Sequence, residues 1–195
     1  MQSAIWLTNK MADWNITALV GVPGVGKTSL CKSAAGALGY KYVNYGELML
    51  EVAIFNNLAS NQDEMFKLDI EIQQSIWQSA ANKVNEMKRF SNKILLDLHG
   101  VDKSEIGYIT SLPIEIIIPD RIIIVEASYE NIIIRRYHDK SRIRVLEDFK
   151  YVKEHMEILR LSMMACSVIY GSYLSLIVND NFEKCLDELK DILSS

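Results

Sequence analysis

Cysteine is scarce in this 195-residue chain: Cys31, Cys166 and Cys185 are odd in number, far apart and form no CxxC pair. That excludes a disulfide framework and a cysteine zinc site, and it predicts a reducing, cytoplasmic setting. Only three prolines occur, and no Pro- or Gly-rich linker, repeat or low-complexity block interrupts the chain. One domain spanning residues 1–195 is therefore expected, with residues 1–14 as a loose extension. No apolar run approaches the ~18 residues that cross a bilayer. The start, MQSAIWLTNKMADWN, lacks an apolar core followed by a small-residue cleavage site, so no secretory signal and no membrane partner are expected. Positive charge is also in short supply, with 21 Lys and Arg against 25 Asp and Glu and a net charge of −4. A general polyanion binder is excluded, no nucleic-acid partner is expected, and any basic site must be a local cluster.

What is present alternates. Ile16–Val20, Lys41–Asn44, Lys93–Leu98, Arg121–Glu126 and Tyr173–Val178 are short apolar runs that read as buried strands. Between them lie helical patterns at Lys27–Leu38, Gly46–Asn57, Leu68–Phe90, Ser128–Tyr137 (with Ser128 as N-cap), up to Tyr170, and Asn181–Leu193. Nearly continuous apolar strands alternating with helices imply an α/β fold, a parallel sheet covered on both faces. The isoleucine-rich stretches "IIIRR", "IEIII" and "RIII" read as buried strand or helix core, and the methionines near Arg160 as a core stripe.

Gly21-Val22-Pro23-Gly24-Val25-Gly26-Lys27-Thr28 fits GxxxxGK[ST] between a strand and a helix, with Ser29 following. Gly24 and Gly26 allow backbone amides to approach phosphates, and the helix beginning near Lys27 turns its positive end toward the anion. Lys27 suits the β- and γ-phosphates, and the Thr28 hydroxyl suits a magnesium ligand position. Asp97, ending the hydrophobic run of "KILLDLHG", is the matching acidic anchor. His99 just beyond it either meets a substrate or satisfies a turn. Arg135, Arg136, Lys140, Arg142, Arg144 and Arg160 gather around the polar segment 138–148, which reads as a short lid closing over a transferring phosphoryl group. Arg160 is expected to point into the cleft.

With these residues in place, the chain resembles the archaeal-type adenylate kinases, which are short-lid P-loop nucleoside-monophosphate kinases. The resemblance runs from about Ile16 to Leu193. It is carried by "GVPGVGKTS", "VNYGELMLEVA", "DEMFKLD", "LLDLHG", "GYITSLP", "IIIRRYHDKSRIR" and the set Glu154, His155 and Arg160. It implies a five-stranded parallel sheet, magnesium-dependent transfer from ATP to AMP giving two ADP, and a homo-oligomer, often a trimer. It implies ATP binding by Gly21 to Ser29, a metal held by Thr28 and Asp97, and catalytic Lys27, Arg136, Arg142, Arg144 and Arg160. Residues 44–69 form the implied acceptor region, with Gly46, Glu47, Lys67, His99 and Arg135 as acceptor-binding residues.

The chain departs from the family in two places. Gln62 and Phe66 stand where relatives carry two arginines, and neither an amide nor a phenyl ring clamps a dianion as a guanidinium does. The lid pattern keeps Arg142 and Arg144 but has Val145 in place of an acid. Three other classes stay open. A kinase for a hydroxyl acceptor would use Glu47 or Asp63 as base. A GTP switch would draw on the DxxG of "DLHG" but lacks the guanine-reading NKxD after it. The last is a nucleotide-binding assembly factor with weak ATPase activity.

Overall fold

The computed structural model describes residues 16–104, 107–138 and 149–195. Five parallel strands form the main sheet in the order β2-β3-β1-β6-β7: β1 Ile16–Val20, β2 Lys41–Asn44, β3 Ile94–Asp97, β6 Arg121–Glu126 and β7 Tyr173–Val178. All five residues of β1, and every residue of β3 and β6, are buried, which is why these runs carry no hydrophilic alternation. Helix α1 (Lys27–Leu38) carries the chain from β1 outward to β2, whereas α5 (Tyr129–His138) and α6 (Phe149–Tyr170) carry it from β6 to β7 in the opposite direction. Right-handed crossovers running in opposite directions place helices on both faces. They also open a crevice at the carboxyl ends of the strands beside β1, where ligands bind in such sheets. Helix α7 (Phe182–Ser194) packs on α1, and α6 lies against β6 and β7.

The expected strands and most of the expected helices are present, with local differences. The helix foreseen from Gly46 to Asn57 is α2, Tyr45–Phe55. It starts one residue earlier because the Asn44 side chain caps it, accepting from the Glu47 amide at 3.1 Å. The helix foreseen over Leu68–Phe90 is α4, Ile70–Met87, preceded by a separate short α3, Gln62–Met65. Asn61 starts α3 by accepting from Glu64 N at 2.9 Å. The sequence pattern gave no hint of the antiparallel hairpin β4 (Val101–Ser104) and β5 (Gly107–Thr110), whose pairing is decided across the turn rather than by periodicity.

Two core expectations are corrected. "IEIII" forms a turn rather than a strand or helix: Ile117 is buried, but Ile118 is half exposed. In "IIIRR", Ile132 is buried while Ile134 is exposed, because only one side of α5 meets the core. The methionine stripe divides in the same way: Met163 is fully buried and Met164 faces outward.

Candidate functional site

The loop between β1 and α1 is built around glycine. Gly24 (φ +97°) and Gly26 (φ +90°) both adopt left-handed conformations that L-residues with side chains rarely take. Gly26 is the residue before α1, so the helix opens on a backbone without a side chain, and its free N–H groups face whatever fills the loop. A Cβ at Gly26 would come within 2.6 Å of Asn179 Nδ2. Lys27 is buried and its ammonium donates to the Gly21 carbonyl and, at 3.4 Å, to that of Val22. The lysine is thereby folded over its own loop.

Thr28 and Asp97, distant in sequence, meet at the carboxyl edge of the sheet. The Thr28 hydroxyl donates to Asp97 Oδ2 at 2.7 Å, and Asp97 is buried as the last residue of β3. Tyr42 on the neighbouring strand donates its OH to the same oxygen at 3.2 Å, and Asn44 Nδ2 reaches that phenol oxygen at 3.4 Å. Burial, then the Asp97 charge, push the Tyr42 phenol well above its ordinary value, so it stays a donor. The nearby Cys31 thiol is likewise pushed up by burial and by Asp97, leaving it a packing group. Hard oxygens on Thr28 and Asp97 fit a divalent cation that keeps most of its waters and takes only one or two protein ligands. Among the described residues there is no cluster of three or more His, Cys, Asp or Glu suited to hold a metal unaided.

The arginines do not all lie where the sequence placed them. Arg135 was expected at the acceptor; instead its Nη1 donates to the Val25 carbonyl at 3.0 Å and its Nη2 to the Asn179 carbonyl at 2.6 Å. The reason is the helical position: the last turn of α5 runs past the glycine loop and the end of β7. Arg136 is buried beside it, donating from Nε to the Pro23 carbonyl at 2.9 Å. Arg160 on α6 reaches the end of β6, where its guanidinium forms a two-point ion pair with the carboxylate of Glu126. Its side chain is 47% exposed, so it borders the crevice with its charge already engaged. Lys140, Arg142, Arg144 and all but His138 of the expected lid lie outside the described residues, as do the first fifteen residues.

His99 satisfies the turn after β3. Its carbonyl accepts from Gly21 N at 3.1 Å, and its Nδ1 lies 2.6 Å from Asp102 Oδ1. Burial opposes ionisation of Asp102, but neighbouring polar and basic groups, His99 first among them, together hold the carboxyl below its usual range.

In the region expected to take the acceptor, Gly46 and Glu47 open α2, and a Cβ on Gly46 would stand 3.7 Å from Gln62 Nε2, so Gln62 overhangs this helix start. Phe66 is more than half exposed, and Lys67 follows it between α3 and α4. The Glu64 carboxylate accepts from the Ser60 hydroxyl at 2.6 Å and from its N–H at 2.8 Å, which lower its pKa.

Sequence reasoning missed Tyr42, Asn44, Glu126, Asn179 and Asp180. Asp180 accepts from Ser128 N at 2.7 Å and Asn131 Nδ2 at 2.9 Å, tying the end of β7 to the start of α5. Position was the available signal for Asn44, Glu126, Asn179 and Asp180, which lie at or just past the carboxyl ends of parallel strands, where the crevice opens.

A family model described as an AAA domain matches residues 20–153. The chain is 42% identical over 178 residues to a protein of Methanothermobacter thermautotrophicus named adenylate kinase homolog, covering 91% of this chain and 92% of the relative. It is 36% identical over 185 residues to the adenylate kinase of Methanoculleus marisnigri, covering 90% and 96%. Among solved structures, the shikimate kinase of Aquifex aeolicus superimposes with a TM-score of 0.59 at 14% identity, covering 92% of this chain and 96% of that one, a likeness of fold alone.

Proposed function

The chain belongs to the adenylate kinase family, and on that premise we propose that it transfers a phosphoryl group reversibly from magnesium-ATP to AMP, giving two ADP. The observation that carries this reading is the 2.7 Å contact between Thr28 and Asp97 beside the glycine loop. It joins a phosphate cradle to a cation anchor at one point. Gly21 to Ser29 bind the triphosphate, and Lys27 turns from the Gly21 and Val22 carbonyls to the β- and γ-phosphates. Thr28 and Asp97 would hold magnesium, which when bound would neutralise charge on those phosphates.

An AMP phosphate oxygen attacks the γ-phosphorus, and the bond from that phosphorus to the β,γ-bridging oxygen breaks to release ADP. The attacking oxygen is already ionised at neutral pH, so no general base is needed and alignment supplies most of the effect. Arg136, Arg142, Arg144 and Arg160 balance the charge spreading over the moving group, Arg160 leaving Glu126 to do so. Gly46, Glu47 and Lys67 lie on the acceptor side, and His99 flanks the loop. Residues 138–148 act as the lid of a single kinase domain. The protein works in the cytoplasm. No helix among the described residues is long and apolar enough to cross a membrane. It assembles as a homo-oligomer of the archaeal trimeric type. The outward apolar residues Leu161, Met164 and Val168 on α6 and the edge strand β7 support such a contact.

A second reading, slow ATP hydrolysis with another acceptor or in an assembly role, is favoured by the acceptor side. Residues 44–69 carry Glu47, Glu51, Asp63, Glu64 and Asp69 against the lone base Lys67. The two readings separate when magnesium-ATP is offered AMP, CMP, UMP, GMP, dTMP or hydroxyl compounds and the products are resolved. ADP formation that requires AMP and falls on the order of 10²–10³ in Lys27→Ala supports the kinase. Hydrolysis indifferent to every acceptor overturns it.

A further inference from the structure

The carbonyl of Val25 receives two donors from two different elements. Arg135 Nη1 on α5 lies at 3.0 Å and Asn179 Nδ2, just past β7, at 2.8 Å. The second guanidinium nitrogen of Arg135 donates to the Asn179 carbonyl at 2.6 Å, which closes a triangle around the loop. Asn179 is itself anchored: it is 1% exposed, and its backbone N–H donates to Glu126 O at 2.8 Å, continuing the β6–β7 ladder. Its amide orientation follows from chemistry, because a carbonyl can only accept and Nδ2 is the only donor on that side chain.

A peptide unit is planar and, with no cis bond among the described residues, its C=O and N–H point in opposite directions. The N–H opposite the Val25 carbonyl belongs to Gly26. Drawing that carbonyl toward α5 and β7 therefore aims the Gly26 N–H to the other side, into the cradle where a phosphate sits. Arg136 treats the Pro23 carbonyl in the same way at 2.9 Å and so aims the N–H of Gly24.

We infer that Arg135 and Asn179 are positioning residues for the donor site: together they hold the Val25–Gly26 peptide in the orientation that binds the triphosphate. The inference rests on the reading of this loop as the ATP site. It assigns Arg135 to the donor, and it gives Asn179, which belongs to no motif, a share in nucleotide affinity. Gly26 is then required for a second reason besides its φ, since any Cβ would displace the amide that holds the loop.

The test is calorimetric titration of the whole protein with a magnesium-bound, non-hydrolysable ATP analogue, beside steady-state kinetics against both substrates. Asn179→Ala and Arg135→Ala are each expected to weaken analogue binding about tenfold, the scale of one lost charge-assisted or buried hydrogen bond. The acceptor KM should not change. The double variant should lose less than the product of the single losses, because both act on one carbonyl. Arg135→Lys, which keeps the charge and one donor, should recover part of the loss and guards against misfolding of the alanine variants. Wild-type affinity in both alanine variants, or a rise confined to the acceptor KM in Arg135→Ala, overturns the inference. Failure of the wild-type protein to bind the analogue overturns the ATP reading itself, a separate outcome visible before any variant is made.

Discussion

The donor and acceptor sides of this crevice are held together in different ways. On the donor side, beside the bonds of Lys27 within its own loop, the contacts that frame the site join elements far apart in sequence: Thr28 to Asp97, Tyr42 to Asp97, Arg135 to Val25 and Asn179, and Arg136 to Pro23. On the acceptor side the bonds that start the helices are local and exposed, Asn44 to Glu47, Asn61 to Glu64 and Ser60 to Glu64 spanning three or four residues each, while the Tyr45 hydroxyl reaches farther, to the Trp77 carbonyl at 2.6 Å. Groups tied through the buried sheet open only when the core opens, whereas locally bonded, exposed helices open at lower cost. In the proposed reading the phosphoryl donor thus lies against strand ends held by the core, and the acceptor against helices held by local bonds.

The contrast can be broken most severely at Asp97. Asp97→Asn keeps the shape and an acceptor for Thr28 but removes the cation's carboxylate. Transfer should fall on the order of 10²–10³ in kcat while the far-ultraviolet dichroism stays native. A variant retaining near-normal turnover in magnesium would show that the Thr28–Asp97 pair is a structural hydrogen bond and nothing more.

A smaller effect, of opposite sign, is expected across the crevice. Phe66→Arg, alone or with Gln62→Arg, adds a guanidinium where the arm is acidic, and Phe66 is exposed enough to be replaced without a cavity. The KM for AMP should drop about tenfold for one new charge-assisted bond, with donor affinity unchanged. An unchanged KM would mean that the acceptor phosphate does not lie against α3.

The smallest effect concerns Asp180, which links β7 to α5 behind the donor loop. The Ser128 N–H first, then the Asn131 amide and the Arg135 charge, hold its carboxyl below the usual 3.8. A carboxyl depressed in the folded state adds stability above its unfolded pKa and loses that contribution as the pH falls through the folded value. Between pH 5 and pH 3 the urea midpoint of the wild type should therefore decline slightly more steeply than that of Asp180→Asn. Parallel declines would remove Asp180 from the donor-side framework.

The same division governs what could be read in advance. Five strands, the glycine loop, Lys27, Thr28 and Asp97 were legible, because burial on both faces and phosphate contact each demand particular residue types at close spacing. The hairpin β4–β5 was not, since its strands alternate weakly and are joined only by their pairing. Arg160 was legible as a basic residue at the crevice, but its partner Glu126 was hidden inside an apolar strand. Arg135 was legible as a charge and misplaced as a contact, because consecutive residues on a helix point about a quarter-turn apart and only the packed helix decides which neighbour each one meets.

By itself, then, the order of residues determined a phosphate cradle on a parallel sheet, for local reasons: glycine permits the turn, lysine supplies the charge, and branched apolar runs bury the strands. Only the tertiary structure set Arg135 and Arg136 of α5 against the glycine loop, and brought Asn179 to the same Val25 carbonyl. Those outcomes depend on where strand ends and a helix terminus converge, a distance across more than a hundred residues of chain that no local pattern encodes.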